Sequence, residues 1–167
     1  ICFLGNLHYP PNQLGLEFFL QSVATLGVQR DVRVIGPVTT AQRQRWLRPW
    51  LSFTGTVDSP HLAMNGSSLA IEPTIEGTGT STKILTYGVA GVPIISTQVG
   101  TRELDPSVSR GIATTLGQIS FGDAIVRSYE EWDDTNRRAT YTRQSILDIY
   151  NIATEMQALW SVLENAR

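Results

Sequence analysis

Short apolar runs, most of them bounded by Gly or Pro, alternate along this chain with segments of helical periodicity. The runs at 1–4, 32–35, 51–54, 69–71 and 93–96 are too short for helices and read as buried strands. Between the first two, residues 14–26 place Leu16, Phe19, Leu20 and Val23 on one helical stripe, after the turn signal Pro10-Pro11-Asn12. Segments 39–47, 59–64 and 80–90 supply further crossovers. Parallel strands need such crossovers, so strand and helix in repeated alternation predict a parallel sheet with helices on both faces. The expected fold is α/β: a Rossmann-like three-layer α/β/α core over 1–120. Beyond it the pattern turns to helices alone, with one stripe at Phe121, Ala124, Ile125 and Tyr129 and a second at Ile146, Ile149, Tyr150, Ala153, Met156 and Trp160. Aromatic residues at helical spacing are read as packing rather than as a cofactor box.

Composition narrows the function. The chain has 167 residues, enough to bury one domain core, and no repeat or linker divides it, so 1–167 is read as a single domain. Lys and Arg number 13 against 15 Asp and Glu, which gives no basic field for nucleic acid. The single cysteine, Cys2, lies in an apolar run and is expected to be a small buried hydrophobe. His8 and His61 have no partners at metal-ligand spacing, so no metal is expected. No apolar run is long enough to cross a bilayer, and a cytoplasmic protein with at most a peripheral membrane contact is expected. The opening Ile1-Cys2-Phe3-Leu4 starts inside a strand, with no Met or basic leader, which suggests a piece of a longer polypeptide lacking residues mainly on the N-terminal side.

In an open α/β sheet, ligands bind beyond the carboxyl ends of the strands. Gly5-Asn6-Leu7-His8-Tyr9 follows the first strand and Gly55-Thr56-Val57-Asp58 the third, each opening on a glycine that lets the backbone turn. The loop after the fourth strand carries more. Residues 72–83, Glu-Pro-Thr-Ile-Glu-Gly-Thr-Gly-Thr-Ser-Thr-Lys, run through Gly77 and Gly79 into a helix. Glycines admit a phosphate close to backbone N–H groups, and a helix N-terminus presents unpaired N–H groups and a positive dipole end. Thr78, Thr80, Ser81 and Thr82 add hydroxyls, and Lys83, about one turn in, offers a point charge. This is a pyrophosphate cradle by composition, although an ordinary capped helix with a glycine lead-in has the same letters. The Walker A spacing and the three-glycine dinucleotide fingerprint are both absent, which argues against ATPase and NAD chemistry.

These motifs occur in a specific order: Phe3-Leu4-Gly5-Asn6-Leu7 and Tyr9-Pro10-Pro11-Asn12, Val34-Ile35-Gly36, Phe53-Thr54-Gly55-Thr56-Val57, Glu72-Pro73, Gly77-Thr78-Gly79-Thr80, Lys83-Ile84-Leu85 and Gly91-Val92-Pro93-Ile94-Ile95-Ser96-Thr97. Over about residues 1–105 the chain resembles the C-terminal domain of GT-B glycosyltransferases of the group 1 family. The resemblance implies one half of a GT-B fold, binding a nucleoside diphosphate sugar without a metal or other cofactor. The acceptor would be held by an N-terminal domain absent from this chain, so the isolated domain is expected to be inactive. Polysaccharide biosynthesis is the setting the family suggests.

Carried over residue by residue, Gly5 and Asn6 match the loop that approaches the donor phosphates, and Thr56 and Val57 the loop beside the nucleobase. Glu76, Gly77, Thr78, Gly79 and Thr80 match the loop around sugar and diphosphate, with Glu76 and Lys83 expected to be catalytic. Thr86 occupies the place where the family usually has a glutamate for the ribose hydroxyls, and the Arg and Lys that many members carry after the first strand are missing. The rival reading is therefore a catalytically inactive GT-B-like scaffold or interaction domain with a vestigial donor site. A GT-B-shaped sugar-nucleotide epimerase ranks third, lacking the extra acid and base carboxylates. The sheet end that would face the missing domain is expected to leave an apolar patch.

Overall fold

A computed structural model describes residues 1–24, 30–77, 79 and 81–150. The elements run β1 (Cys2–Leu4), α1 (Pro10–Ala24), β2 (Val32–Ile35), α2 (Thr40–Arg45), β3 (Leu51–Gly55), α3 (Pro60–Ala63), β4 (Ala70–Glu72), α4 (Thr82–Val89), β5 (Ile94–Thr97), α5 (Gln98–Thr101), α6 (Pro106–Arg110), β6 (Ala113–Thr115), α7 (Gln118–Glu130) and α8 (Trp132–Ile149). Six strands form one sheet in the order β3-β2-β1-β4-β5-β6, every pair parallel. The three-layer Rossmann-like α/β/α reading is the fold observed.

Side-chain alternation along the central strands builds two cores. Phe3, Val34, Ile71 and Ile95 face Leu16, Phe19, Phe121 and Ile125 of α1 and α7 on one side. Cys2, Leu4, Ile35, Ala70 and Ile94 face Ile84, Tyr87 and Ile146 of α4 and α8 on the other. Cys2 is thus a buried free thiol whose pKa burial pushes up. Gly88 lets α8 approach α4 closely: a Cβ there would lie 2.2 Å from Ile146 Cδ1.

Three elements escape the sequence pattern, and each is small. The helices α5 and α6 have four and five residues, too few to display a period, and are fixed by the caps Thr97 and Asp105. The strand β6 has the sequence Ala-Thr-Thr and lies at the sheet edge, where no apolar run is required. The other edge strand, β3, was expected to be fully buried. Instead it exposes Ser52 and Thr54, because an edge strand is covered on one side only. Among the C-terminal helical stripes, Phe121, Ala124, Ile125 and Ile146 are buried, whereas Tyr129 is half-buried and stacks on Trp132 at 6.0 Å. Ala153, Met156 and Trp160, like the end of the 14–26 segment, lie outside the described residues.

The sheet order reverses direction between β1 and β4, and the ladder there is thin, with Cys2 opposite Ala70 as its register. The hydroxyl of Tyr87, on α4 and fully buried, fills the seam: Leu4 N–H donates to it at 2.6 Å and it donates to Ile71 O at 3.2 Å. Burial first, and the nearby Glu72 carboxylate second, hold this phenol well above its ordinary pKa. Nearby, Gly36 sits at φ 141, where a Cβ would lie 2.2 Å from Gly5 O.

Two variants test this frame. Tyr87→Phe orphans a buried N–H and a buried C=O, and is expected to lose about 2–4 kcal/mol in urea unfolding at neutral pH. A phenol pKa raised on folding contributes stability that is intact below the unfolded value of 10.0 and lost as pH climbs above it. The wild type should therefore show an alkaline loss of stability from this group that Tyr87→Phe lacks. Gly36→Ala combines a disallowed φ with a backbone clash and should lose more than about 2 kcal/mol, measured in the same way.

Candidate functional site

The turns after β1, β2, β3, β4 and β5 surround a cleft of about 470 Å³ at the carboxyl ends of the strands, over the point where the strand order reverses. Each loop is shaped locally. Gly5 N–H donates to Ile35 O at 2.9 Å, which ties the first turn to β2. Asn6 Oδ1 accepts from His8 N–H at 2.9 Å, and Asn12 Nδ2 donates to Asn6 O at 2.9 Å, so the start of α1 braces the turn. Gly55, at φ 85, turns the chain out of β3 so that exposed Thr56 and half-buried Val57 reach the rim.

The loop after β4 leaves a buried Glu72 and Pro73, then emerges through exposed Ile75, Glu76, Gly77 and Gly79. Gly77 and Gly79 take φ 134 and φ 83, backbone that side-chain-bearing residues rarely adopt. The loop delivers the chain to α4, whose N-cap, Ser81, makes no capping hydrogen bond with its side chain; its Oγ is buried without a hydrogen-bond partner among the described residues. The helix therefore opens on the cleft with N–H groups that no cap side chain occupies, unlike the ordinary capped helix its composition also allowed.

Of the residues expected from the sequence, Gly5, Asn6, Thr56, Val57, Glu76, Gly77, Gly79, Lys83 and Thr86 all line this one cleft. Thr78 and Thr80 lie outside the described residues. Two side chains differ in disposition from the expectation. Lys83 does not extend freely over the loop: its ammonium lies 2.9 Å from Glu72 Oε2, 3.0 Å from Asn12 Oδ1 and 3.5 Å from Thr74 Oγ1, above the ring of Phe3. Thr86 spends its hydroxyl proton on Thr82 O of its own helix at 3.0 Å, so toward the cleft it can only accept.

Lining residues to which the sequence assigned no role of their own include Asn12, Glu72, Thr74 and Arg102. Glu72 is 1% exposed at the end of β4, its Oε1 accepting from Thr74 Oγ1. Its Oε2 meets Lys83 as an ion pair without hydrogen-bond alignment. A charged residue ending an apolar strand was the available signal. Arg102 had none, since only the short turn of α5 brings it to the loop, 3.8 Å from where a Cβ on Gly77 would stand. Ile75 and Ile119, 41% and 77% exposed, form an apolar patch beside Phe18. Among the described residues no group of three or more His, Cys, Asp and Glu side chains could hold a metal ion, and no helix is long and apolar enough to cross a membrane.

The family model for glycosyl transferases group 1 matches residues 1–131. No curated protein sequence matches significantly. Among solved structures, Anabaena Alr3699/HepE in complex with UDP aligns with a TM-score of 0.81 at 15% identity, over 98% of this chain and 48% of that one. The same protein has been solved with UDP-glucose. A glycosyltransferase from Rickettsia africae ESF-5 gives 0.76 at 10% identity, over 98% and 47% of the two chains. Sucrose-phosphate synthase from Thermosynechococcus elongatus gives 0.75 at 18%, over 99% and 46%. The chain spans about half the length of these solved structures. At such identities the likeness is one of fold, whereas the family match covers most of the sequence: the chain belongs to the group 1 glycosyl transferases.

Proposed function

We propose that this chain is the donor-binding half of a two-domain GT-B glycosyltransferase, taking a nucleoside diphosphate sugar whose sugar passes to an acceptor held by an N-terminal domain. The observation that carries the reading is the meeting, in one cleft at the sheet's reversal point, of an uncapped α4 N-terminus with two positive-φ glycines of its lead-in loop. In this reading the base lies by Thr56 and Val57, and the diphosphate crosses Gly5 and Asn6 to reach Gly77, Gly79 and the start of α4. Thr86 accepts from a ribose hydroxyl. Glu76, on the exposed rim, faces the sugar and stabilises its hydroxyls or the positive charge that develops as the bond to the leaving diphosphate breaks.

Stabilisation of that leaving group falls to fixed N–H dipoles and protein cations, and needs no divalent ion. Lys83 lies beneath the loop with its charge paired to Glu72, and positions the floor of the cleft. The structures of Anabaena Alr3699/HepE with UDP and with UDP-glucose make these the first probes to try.

Calorimetric titration with UDP, GDP and UDP-glucose tests the reading, and saturable binding of one nucleotide is expected. Glu76→Ala should leave UDP affinity within about twofold and weaken the matching sugar nucleotide about tenfold, the loss of a charged hydrogen bond. A folded sample that binds none of these ligands would overturn the proposal in favour of a scaffold with a vestigial site.

A further inference from the structure

The charged side chains lining the cleft are Glu72, Glu76, Lys83 and Arg102. A lysine ammonium has three N–H donors. The Lys83 ammonium donates to Asn12 Oδ1 and Thr74 Oγ1 and is ion-paired with Glu72 at 2.9 Å, so turning it toward a ligand would break contacts in the floor. The carboxylate that pairs with it is buried, so the floor of the cleft is close to neutral.

Arg102 is placed differently. It caps the C-terminus of α5 in extended backbone, at φ −59 and ψ 151, and is followed by Glu103 at φ 63. This turn leaves Arg102 half-buried beside Gly77. No carboxylate among the described residues forms an ion pair with its guanidinium, Glu76 of the facing loop included. A guanidinium carries five N–H donors in a planar fork suited to phosphate.

From these placements we infer that Arg102, rather than Lys83, supplies the charged contact to the distal phosphate of the donor, and that Glu72 and Lys83 act as a positioning pair. The inference rests on the donor-binding reading above. Its geometry follows from the sheet: strands lie about 4.8 Å apart, so the four steps from β3 to β5 span about 19 Å. A nucleotide with its base at the β3 end therefore brings its far phosphate, not its near one, toward Arg102.

The test is titration of the protein with UMP, UDP and inorganic pyrophosphate at two salt concentrations. Arg102→Gln should weaken UDP and pyrophosphate about tenfold or more, leave UMP within about twofold, and flatten the salt dependence of pyrophosphate binding; Arg102→Lys should recover part of each. Lys83→Met alone would strand a buried carboxylate and could unfold the protein. The comparison is instead the double variant Glu72→Gln with Lys83→Gln, which removes both charges and should weaken UDP less than threefold. A tenfold loss in the double variant, with Arg102→Gln within threefold of wild type, would overturn the inference and leave donor binding standing. Failure of the folded wild type to bind UDP, GDP or pyrophosphate would overturn both.

Discussion

The arrangement of this domain depends on how two parallel strands separate. At the β1 and β4 seam the chain on either side sends its crossovers in opposite directions, and the gap this opens above the strand ends becomes the cleft. The same separation starves the ladder of partners, leaving backbone groups at Leu4 and Ile71 that a buried sheet must satisfy. Tyr87 satisfies both with one hydroxyl from α4. That fixes the helix against the seam, with its N-terminus on the cleft. Sheet integrity and site geometry thus share one atom.

The floor of the cleft poses a second problem, since it contains a carboxylate that is 1% exposed. Buried charge is tolerated only when paired and hydrogen-bonded, and a buried ion pair often contributes little net stability because of its desolvation. Here Glu72 has Lys83 on one oxygen and Thr74 on the other, while Lys83 reaches Asn12 on α1. The network joins β4, α4 and α1 beneath the loops after β1 and β4. An apolar pair of equal volume would pack the floor as well, but it would not bind Asn12, which in turn holds Asn6 and the first turn. The polar floor is better explained by the loop geometry it imposes than by stability.

Much of this was legible in the sequence. The strands β1, β2, β4 and β5 announced themselves because parallel central strands are apolar on both faces, and α1, α4 and α7 because they each bury a stripe. What did not show was decided by length or by edge position: β6 has three residues, and α5 and α6 have too few turns for a period. The site followed the same division. Loops were readable, since a glycine after a strand marks a turn, and Gly55, Gly77 and Gly79 do adopt positive φ. The partners of each side chain were not. Sequence places Lys83 one turn into a helix, but only packing turns it down to Glu72 instead of outward. Thr86 could be seen to lack a carboxylate, and its bond back to Thr82 depends on rotamer. Arg102 became part of the site only through α5, the kind of element that periodicity misses.

A near-neutral floor also suits the donor site proposed for this cleft. Binding a donor more tightly in its ground state does not speed transfer unless the contact strengthens as the bond breaks. Negative charge grows on the leaving diphosphate during that step, so the useful cation is one placed at the distal phosphate, and a strong charge beneath the whole nucleotide would mainly retain the product. Cancelling Lys83 with Glu72 reduces the uniform attraction, while the α4 N–H groups supply a fixed dipole whose field falls off within a turn. On this argument Glu72 matters for where the positive charge is not. The distribution of charge across the cleft, rather than its sum, is then what distinguishes a site built for transfer from one built for storage of a nucleotide.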